Sequence, residues 1–378
     1  MIVADFRDMK NIKFINIIMA LALVCFGLTA CSSDNDDNGG EGGGGTGGGG
    51  SVAKLAEPYF GVNMSGAEFA AVYPGIDGTH YGYPTRSDIE YFANKGFKLI
   101  RFPFRWERIQ KQLGGELDQV ELAKMKAVVS AAQELGVYVI LDLHNFGRYC
   151  TYSNGYSSAD NNYAILGSRT CSTAHFCDLW KRLAQEFMGY TNVWGYDIMN
   201  EPHNMLSSSP WDKIAQECID AIREVDRQTP IVVEGNEFAS SSKWTNLSQD
   251  LKDLTDPSDK LIFQAHVYFD NDASGKYVKD YDGEQATEDI GVERLKPFVE
   301  WCKKYGKQGF VGEYGVPDND PRWLVTLDKA LQYLSENGIG GTYWSAGPRW
   351  GDDALAVQPI NGQDRPQMSV IGKYLKAE

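Results

Sequence analysis

Apolar residues alternate along this chain between two patterns. Short runs rich in Val, Ile, Tyr and Phe occur at 59–65, 99–104, 137–145, 193–201, 231–236, 261–269, 309–315 and 340–347, with the length and composition of buried strands. Between most of them lie stretches with apolar residues at three-and-four spacing, at 122–136, 211–228, 293–306 and 322–338. These predict amphipathic helices, and Gly136, Gly306 and Gly338 supply helix stops. Eight strands alternating with helices predict an α/β fold, a closed parallel (β/α)8 TIM barrel. A doubly wound sheet usually has only about five or six strands.

The first 31 residues do not belong to that pattern. Basic residues in MKNIK (Met9–Lys13) precede the apolar run FINIIMALALVCFGL, which leads to LTAC ending at Cys31. This reads as a targeting segment, too short and wrongly flanked for a membrane span. LTAC resembles the bacterial lipobox, and the acidic SSDNDD after it resembles the surface-export signal of outer-membrane lipoproteins. The resemblance implies lipidation at Cys31 and a cell-surface location on the bacterial outer membrane. Residues 32–51 are Gly-rich and nearly devoid of apolar side chains, so they cannot order themselves by burial. They form a tether with a reach of roughly 25 Å. Residues 52–378 are expected to form one domain.

A formal charge of −15 argues against a phosphate-backbone partner, so no nucleic acid is expected. Nine Trp among 12% aromatic residues could stack on bases or sugars, though core filling explains most of them. Outside the leader there are five cysteines, Cys150, Cys171, Cys177, Cys218 and Cys302. None has zinc-like spacing, so neither metal nor cofactor is expected. Passage through an oxidising compartment would permit a bridge within the first three, from Cys150 to Cys171 or Cys177. Cys218 and Cys302 fall in helical patterns and read as buried thiols.

Barrel active sites lie at the C-terminal ends of the strands. Those ends carry Arg101 with Pro103, His144 with Asn145, Asn200 with Glu201, Asn236 with Glu237, His266 with Tyr268, then Glu313 and Trp344. Two carboxylates, two histidines, an arginine and aromatic rings therefore converge on one rim.

This constellation resembles glycoside hydrolase family 5, of the clan A retaining barrels, over nearly all of residues 59–350. NEP matches the family's acid/base motif at Glu201, and GEYG its nucleophile motif at Glu313. Arg101 in IRFPF matches the arginine beside the nucleophile, His144 in DLHN a substrate-contacting histidine, and Asn200 the asparagine that holds the sugar 2-hydroxyl. His266 and Tyr268 in HVY match the pair near the nucleophile, and Trp344 in YWSAG the platform under the scissile sugar. GVNMSGAEF and DLHNFGRY further resemble the endo-β-1,4-glucanases.

The resemblance implies hydrolysis of a β-glucan polysaccharide by double displacement, by a monomer that meets the membrane only through its lipid anchor. An endo-β-mannanase or xyloglucan-type hydrolase on the same scaffold stays open, as does a non-catalytic surface glycan-binding lipoprotein. In the first reading Arg101 favours the charge on Glu313, while that charge disfavours a second on Glu201. Their carboxyl groups are expected about 5–5.5 Å apart. Glu68, Asp142, Asp197, Glu234 and Glu237 are competing carboxylates. Asp142 and Asp197 should point into the lower barrel or the helix interface, and Glu237 is the best rival. Phe146, Tyr149, Trp211, Phe238, Trp244 and Trp350 are further platform candidates, with Trp211 better explained by helix packing.

Overall fold

Each of the eight β-rich runs forms a barrel strand. The computed structural model describes residues 59–69, 72–151 and 162–375; the leader, Cys31 and the Gly-rich tether lie outside them. In chain order the strands are β1 Phe60–Met64, β2 Leu99–Phe104, β3 Tyr138–Leu143, β4 Arg148–Cys150, β5 Tyr163–Ile165, β6 Val193–Asp197, β7 Ile231–Glu234, β8 Leu261–His266, β9 Gln308–Tyr314 and β10 Gly340–Ala346. The barrel closes in the order β1-β10-β9-β8-β7-β6-β3-β2, and its pairings are parallel. This is the (β/α)8 fold expected from the pattern. Short β4 and β5, not among the eight predicted runs, form a separate antiparallel pair beyond β3.

The four predicted helices appear as Gln119–Glu134, Trp211–Arg223, Ile290–Tyr305 and Pro321–Glu336. The second stops at Arg223 rather than 228 because Asp226 turns the chain. Its carboxylate accepts from the N–H groups of Gln228 and Thr229 at 2.7 and 3.1 Å, while Arg223 donates to the carbonyls of Asp226 and Thr229. Helix Thr173–Phe187 was not set apart by the sequence reading; it starts at a capping box on Ser172 and buries Phe176, Leu179, Trp180, Leu183 and Phe187.

Side chains two residues apart on a strand share a face, and this builds the barrel interior in layers. Leu99, Ile140, Trp194, Val232, Ile262 and Phe310 pack together as an apolar floor. Two positions further along their strands stand Arg101, Asp142, Glu234 and Gln264, all buried. Gly312, two past Phe310, leaves room for that layer, since a Cβ there would come within 2.4 Å of the Gln264 side chain. Another step of two brings His144 and His266 to the rim.

No disulfide joins Cys150, Cys171 and Cys177, contrary to expectation: Cys171 and Cys177 are free thiols. Cys171 is packed in the apolar core, and burial pushes its thiol up to about 12. Cys177 lies on helix Thr173–Phe187, near enough to Cys218 on the neighbouring helix for the two thiols to influence each other.

Candidate active site

The strand ends deliver the predicted groups to one cleft. Glu201, just past β6, and Glu313, in β9, are buried and line it together with His144, His266, Tyr268 and Trp344. A carboxylate oxygen of Glu201, a ring nitrogen of His266 and a carboxylate oxygen of Glu313 all lie within 4.8 Å of one another. That fits the roughly 5–5.5 Å between carboxyls of retaining glycosidases and falls short of the roughly 6.5–9.5 Å of inverting ones.

Arg101 is the hub beneath this pair. Its guanidinium donates to Asp197 at 2.9 Å, Asn63 at 3.0 Å, Glu313 Oε1 at 3.2 Å, Asn200 Oδ1 at 2.7 Å and Glu234 Oε1 at 2.9 Å. Asp142 stands 3.0 Å away. A fully buried guanidinium must have its donors satisfied, and removing one partner of such a pair typically costs about 3–5 kcal/mol. The bond to Asn200 also orients that amide, whose nitrogen lies 3.5 Å from His144 Nε2. Asp142 and Asp197 thus point into the barrel below the rim, as expected.

The carboxylates around Arg101 divide by protonation. Burial pushes Asp142 up to about 8 against the pull of Arg101, and burial with repulsion from Glu234 holds Asp197 well above the usual carboxylate range. Glu234 goes the other way: burial would raise it, but His266, Arg101 and the Glu201 N–H hold its carboxyl below the ordinary glutamate value. Burial would lower His266, yet Glu234, Glu313 and its hydrogen bonds keep the imidazole protonated well above its usual range.

Glu313 departs from expectation. Its ionised form meets Arg101, His266 and the Tyr268 hydroxyl, which donates to Oε2 at 2.7 Å. Burial, aided by repulsion from Glu201, outweighs them and holds the carboxyl above the ordinary value. Arg101 does favour the charge, but the desolvation of a closed barrel mouth is larger. His266, with carboxylate oxygens beside both ring nitrogens, keeps no free lone pair for a metal, so this trio is a hydrogen-bonded charge network.

Trp344 stacks on His144 with centroids 5.4 Å apart and planes 12° apart, while burial lowers His144 to about 4 and keeps its ring neutral. Trp350 meets Trp344 edge-on at 5.8 Å, extending the aromatic surface. Phe146, edge-on to His144 at 5.1 Å, and Phe238 also line the cleft, and Phe238 stacks on His203 at 4.0 Å. His203 was not predicted.

Trp244 is not a platform: it is fully buried against Phe298 and Trp301. Trp211 is buried in its helix, with its indole donating to the Glu234 carbonyl at 2.7 Å. Tyr149 is also buried, bonded to the Gln110 carbonyl. Glu237 accepts from the Asn204 N–H at 2.9 Å, on the cleft wall and outside the carboxyl pair. Glu68 is tied to Ser65 and to the Gly66 N–H after β1.

Several cleft residues other than glycine have left-handed backbones: Phe146 at φ 57°, Glu201 at 46°, Glu237 at 50° and Phe238 at 63°. Each such conformation costs on the order of 1–3 kcal/mol and persists only where its surroundings enforce it. Glu201 is further constrained because it precedes Pro202, which disfavours helical conformations before it. Its N–H donates to Glu234 Oε2 at 2.7 Å. The sequence reading had Glu234 only as a competing carboxylate and missed Asn63 and Gln264. Their position two residues below rim groups, or at a strand end, was the available signal.

The model of the cellulase family, glycosyl hydrolase family 5, matches residues 56–349. The endo-β-1,4-glucanase B of Emericella nidulans is 33% identical over 309 residues, covering 80% of this chain and 87% of that one. Among solved structures, the endoglucanase Cel5A of Pseudomonas stutzeri in complex with cellobiose superposes with a TM-score of 0.77 at 42% identity, covering 84% of this chain and 92% of that one. An endo-β-1,4-glucanase of Xanthomonas axonopodis pv. citri gives 0.76 at 33% identity, covering 84% and 98%.

Proposed function

This chain belongs to the cellulase family of glycosyl hydrolases, family 5, and from that membership we infer that it is a retaining endo-β-1,4-glucanase with Glu313 as nucleophile and Glu201 as acid/base. The observation that carries the reading is the pair of buried carboxylates with oxygens within 4.8 Å, bridged by His266. That spacing leaves no room for the water an inverting enzyme sets between base and sugar, so one carboxylate must attack directly.

The surroundings support the division of roles. Glu313 has two donors turned to its charge, Arg101 and Tyr268, with the His266 ring 3.6 Å away, and shares the cleft with Trp344, which suits attack on an anomeric carbon seated over the indole. Glu201 protonates the departing oxygen. As the glycosyl ester forms, the charge on Glu313 disappears and one appears on Glu201. His266 Nδ1 lies 2.9 Å from Glu201 and 3.6 Å from Glu313, so the imidazolium faces one negative charge before and after the step without moving. Glu201 then takes a proton from water, which cleaves the ester with overall retention. Asn200, fixed by Arg101, is the group for the 2-hydroxyl.

Relatives named as endo-β-1,4-glucanases, and the cellobiose complex of the Pseudomonas stutzeri enzyme, favour β-1,4-glucan over mannan. Release of reducing ends from soluble β-glucan and β-mannan, measured side by side, tests the substrate. Glucan is expected to be cleaved faster, with the β-anomer appearing first by proton NMR. Mannan preference, or an α-anomer first, overturns the reading.

The lipobox-like leader and Gly-rich tether support anchoring of the domain to the outer surface of a bacterial outer membrane. Cys31→Ser is expected to release the enzyme from membranes while hydrolysis of soluble glucan is unchanged, since the tether only positions the domain. Variant protein that still sediments with membranes would contradict the anchor.

A further inference from the structure

We propose that Glu234 is a positioning residue for the acid/base step, holding Glu201 through its backbone and His266 through its second nitrogen. The inference rests on the assignment of Glu201 as acid/base.

Glu234 ends β7 and is wholly buried, out of reach of a bound sugar. Its two oxygens divide the work. Oε2 accepts the N–H of Glu201 at 2.7 Å, the bond that secures a left-handed residue ahead of a proline. Without it, nothing else among the described hydrogen bonds engages that N–H, and the carboxyl would lose its aim. Oε1 accepts from Arg101 at 2.9 Å and Gln264 at 2.5 Å, and lies 3.2 Å from His266 Nε2.

Carboxylates beside both ring nitrogens favour the doubly protonated imidazolium, so Nε2–H faces Glu234 and Nδ1–H donates to Glu201 Oε1 at 2.9 Å. The charged and titratable groups facing His266 are Glu201, Glu313 and Glu234, with Arg101 and Asp142 behind them. Among the carboxylates of the layer beneath the rim, Glu234 is the one whose surroundings favour its charge; Asp142 and Asp197 are driven towards their neutral forms. It is therefore the fixed counter-ion, while the charge on the reacting pair moves between Glu313 and Glu201.

Glu234→Gln preserves shape but removes the charge, and one amide face must now meet donors. The full-length enzyme carrying it should lose about 10²-fold or more in kcat on cellotetraose, which needs protonation of its leaving oxygen. KM on cellotetraose should hold, and kcat/KM for dinitrophenyl β-cellobioside, which reports the first release of a leaving group that departs unprotonated, should fall much less. A merely structural defect would slow both substrates alike, and that outcome overturns the proposal.

Glu201→Gln run in parallel separates the two readings. If it shows the leaving-group split and Glu234→Gln does not, the positioning role fails and the acid/base assignment stands; if neither shows it, both fail. Should Glu234→Gln not fold, nitrogen-15 NMR of His266 in the wild-type protein decides, with five histidines to assign. Both ring nitrogens are expected to stay protonated at pH 7, and a neutral ring there overturns the proposal.

Discussion

Glu313→Gln should lower kcat on β-1,4-glucan by on the order of 10³-fold or more, a barrier about 4 kcal/mol higher. An amide cannot attack the anomeric carbon, yet it is isosteric with the carboxyl it replaces. Its carbonyl can still accept from Arg101, and Tyr268, a hydroxyl, can accept from the new NH2 where it now donates at 2.7 Å. The fold should therefore survive, and the melting temperature measured beside kcat separates lost chemistry from lost structure. Because the substitution also removes a negative charge from the cleft, substrate binding should weaken little. Turnover like that of the wild type would remove Glu313 from the mechanism.

Glu201→Gln should produce a different loss. Turnover of cello-oligosaccharides should fall about 10²- to 10⁴-fold, the range for general acid–base catalysis. An activated aryl cellobioside should still form the glycosyl ester, because its leaving group needs no proton, and the ester should then accumulate because no base activates water. A burst of aryl alcohol followed by slow turnover, which added azide accelerates as a nucleophile needing no base, is the expected time course. Equal loss on both substrates, with no burst, would move the acid/base role to another carboxylate, with Glu237 on the cleft wall the first to examine.

These two experiments concern residues that could be read from local pattern. The motifs NEP and GEYG stand at strand ends, and strand ends in a barrel share one rim. Arg101, His144, Asn200, His266, Tyr268 and Trp344 reached that rim for the same reason: each β-rich run was recognisable by itself and alternated with helix. The helix end at Arg223 was misjudged because the turn there depends on Asp226 bonding residues ahead of it, a side-chain event that apolar periodicity does not record.

The aromatic residues show a sharper limit. Trp244 and Trp350 both follow strand ends and were equal candidates, yet one is sealed beneath Phe298 and Trp301 and the other stands beside Trp344. Which way a loop residue turns is set by the elements that pack on it, and these lie far away in sequence. Protonation follows the same rule. Arg101 was expected to keep Glu313 charged, but burial, which depends on how the whole barrel closes, outweighs it.

What the sequence determined by itself was the eight barrel strands, four of the helices between them, their order, and the chemistry offered at the rim, because apolar periodicity and turn residues act over a few neighbours. What only the tertiary structure decided was the layer beneath: Glu234, Gln264 and Asn63 around Arg101, the left-handed Glu201 held from below, and the division of the buried carboxylates into charged and neutral. Those properties arise from desolvation and from partners on strands far apart in sequence, such as Asn63 donating to the carbonyls of Gly312 and Tyr343 across separations of 249 and 280. Closing the barrel brings such partners into hydrogen-bonding distance, and no local pattern encodes how strongly they then compete for a proton.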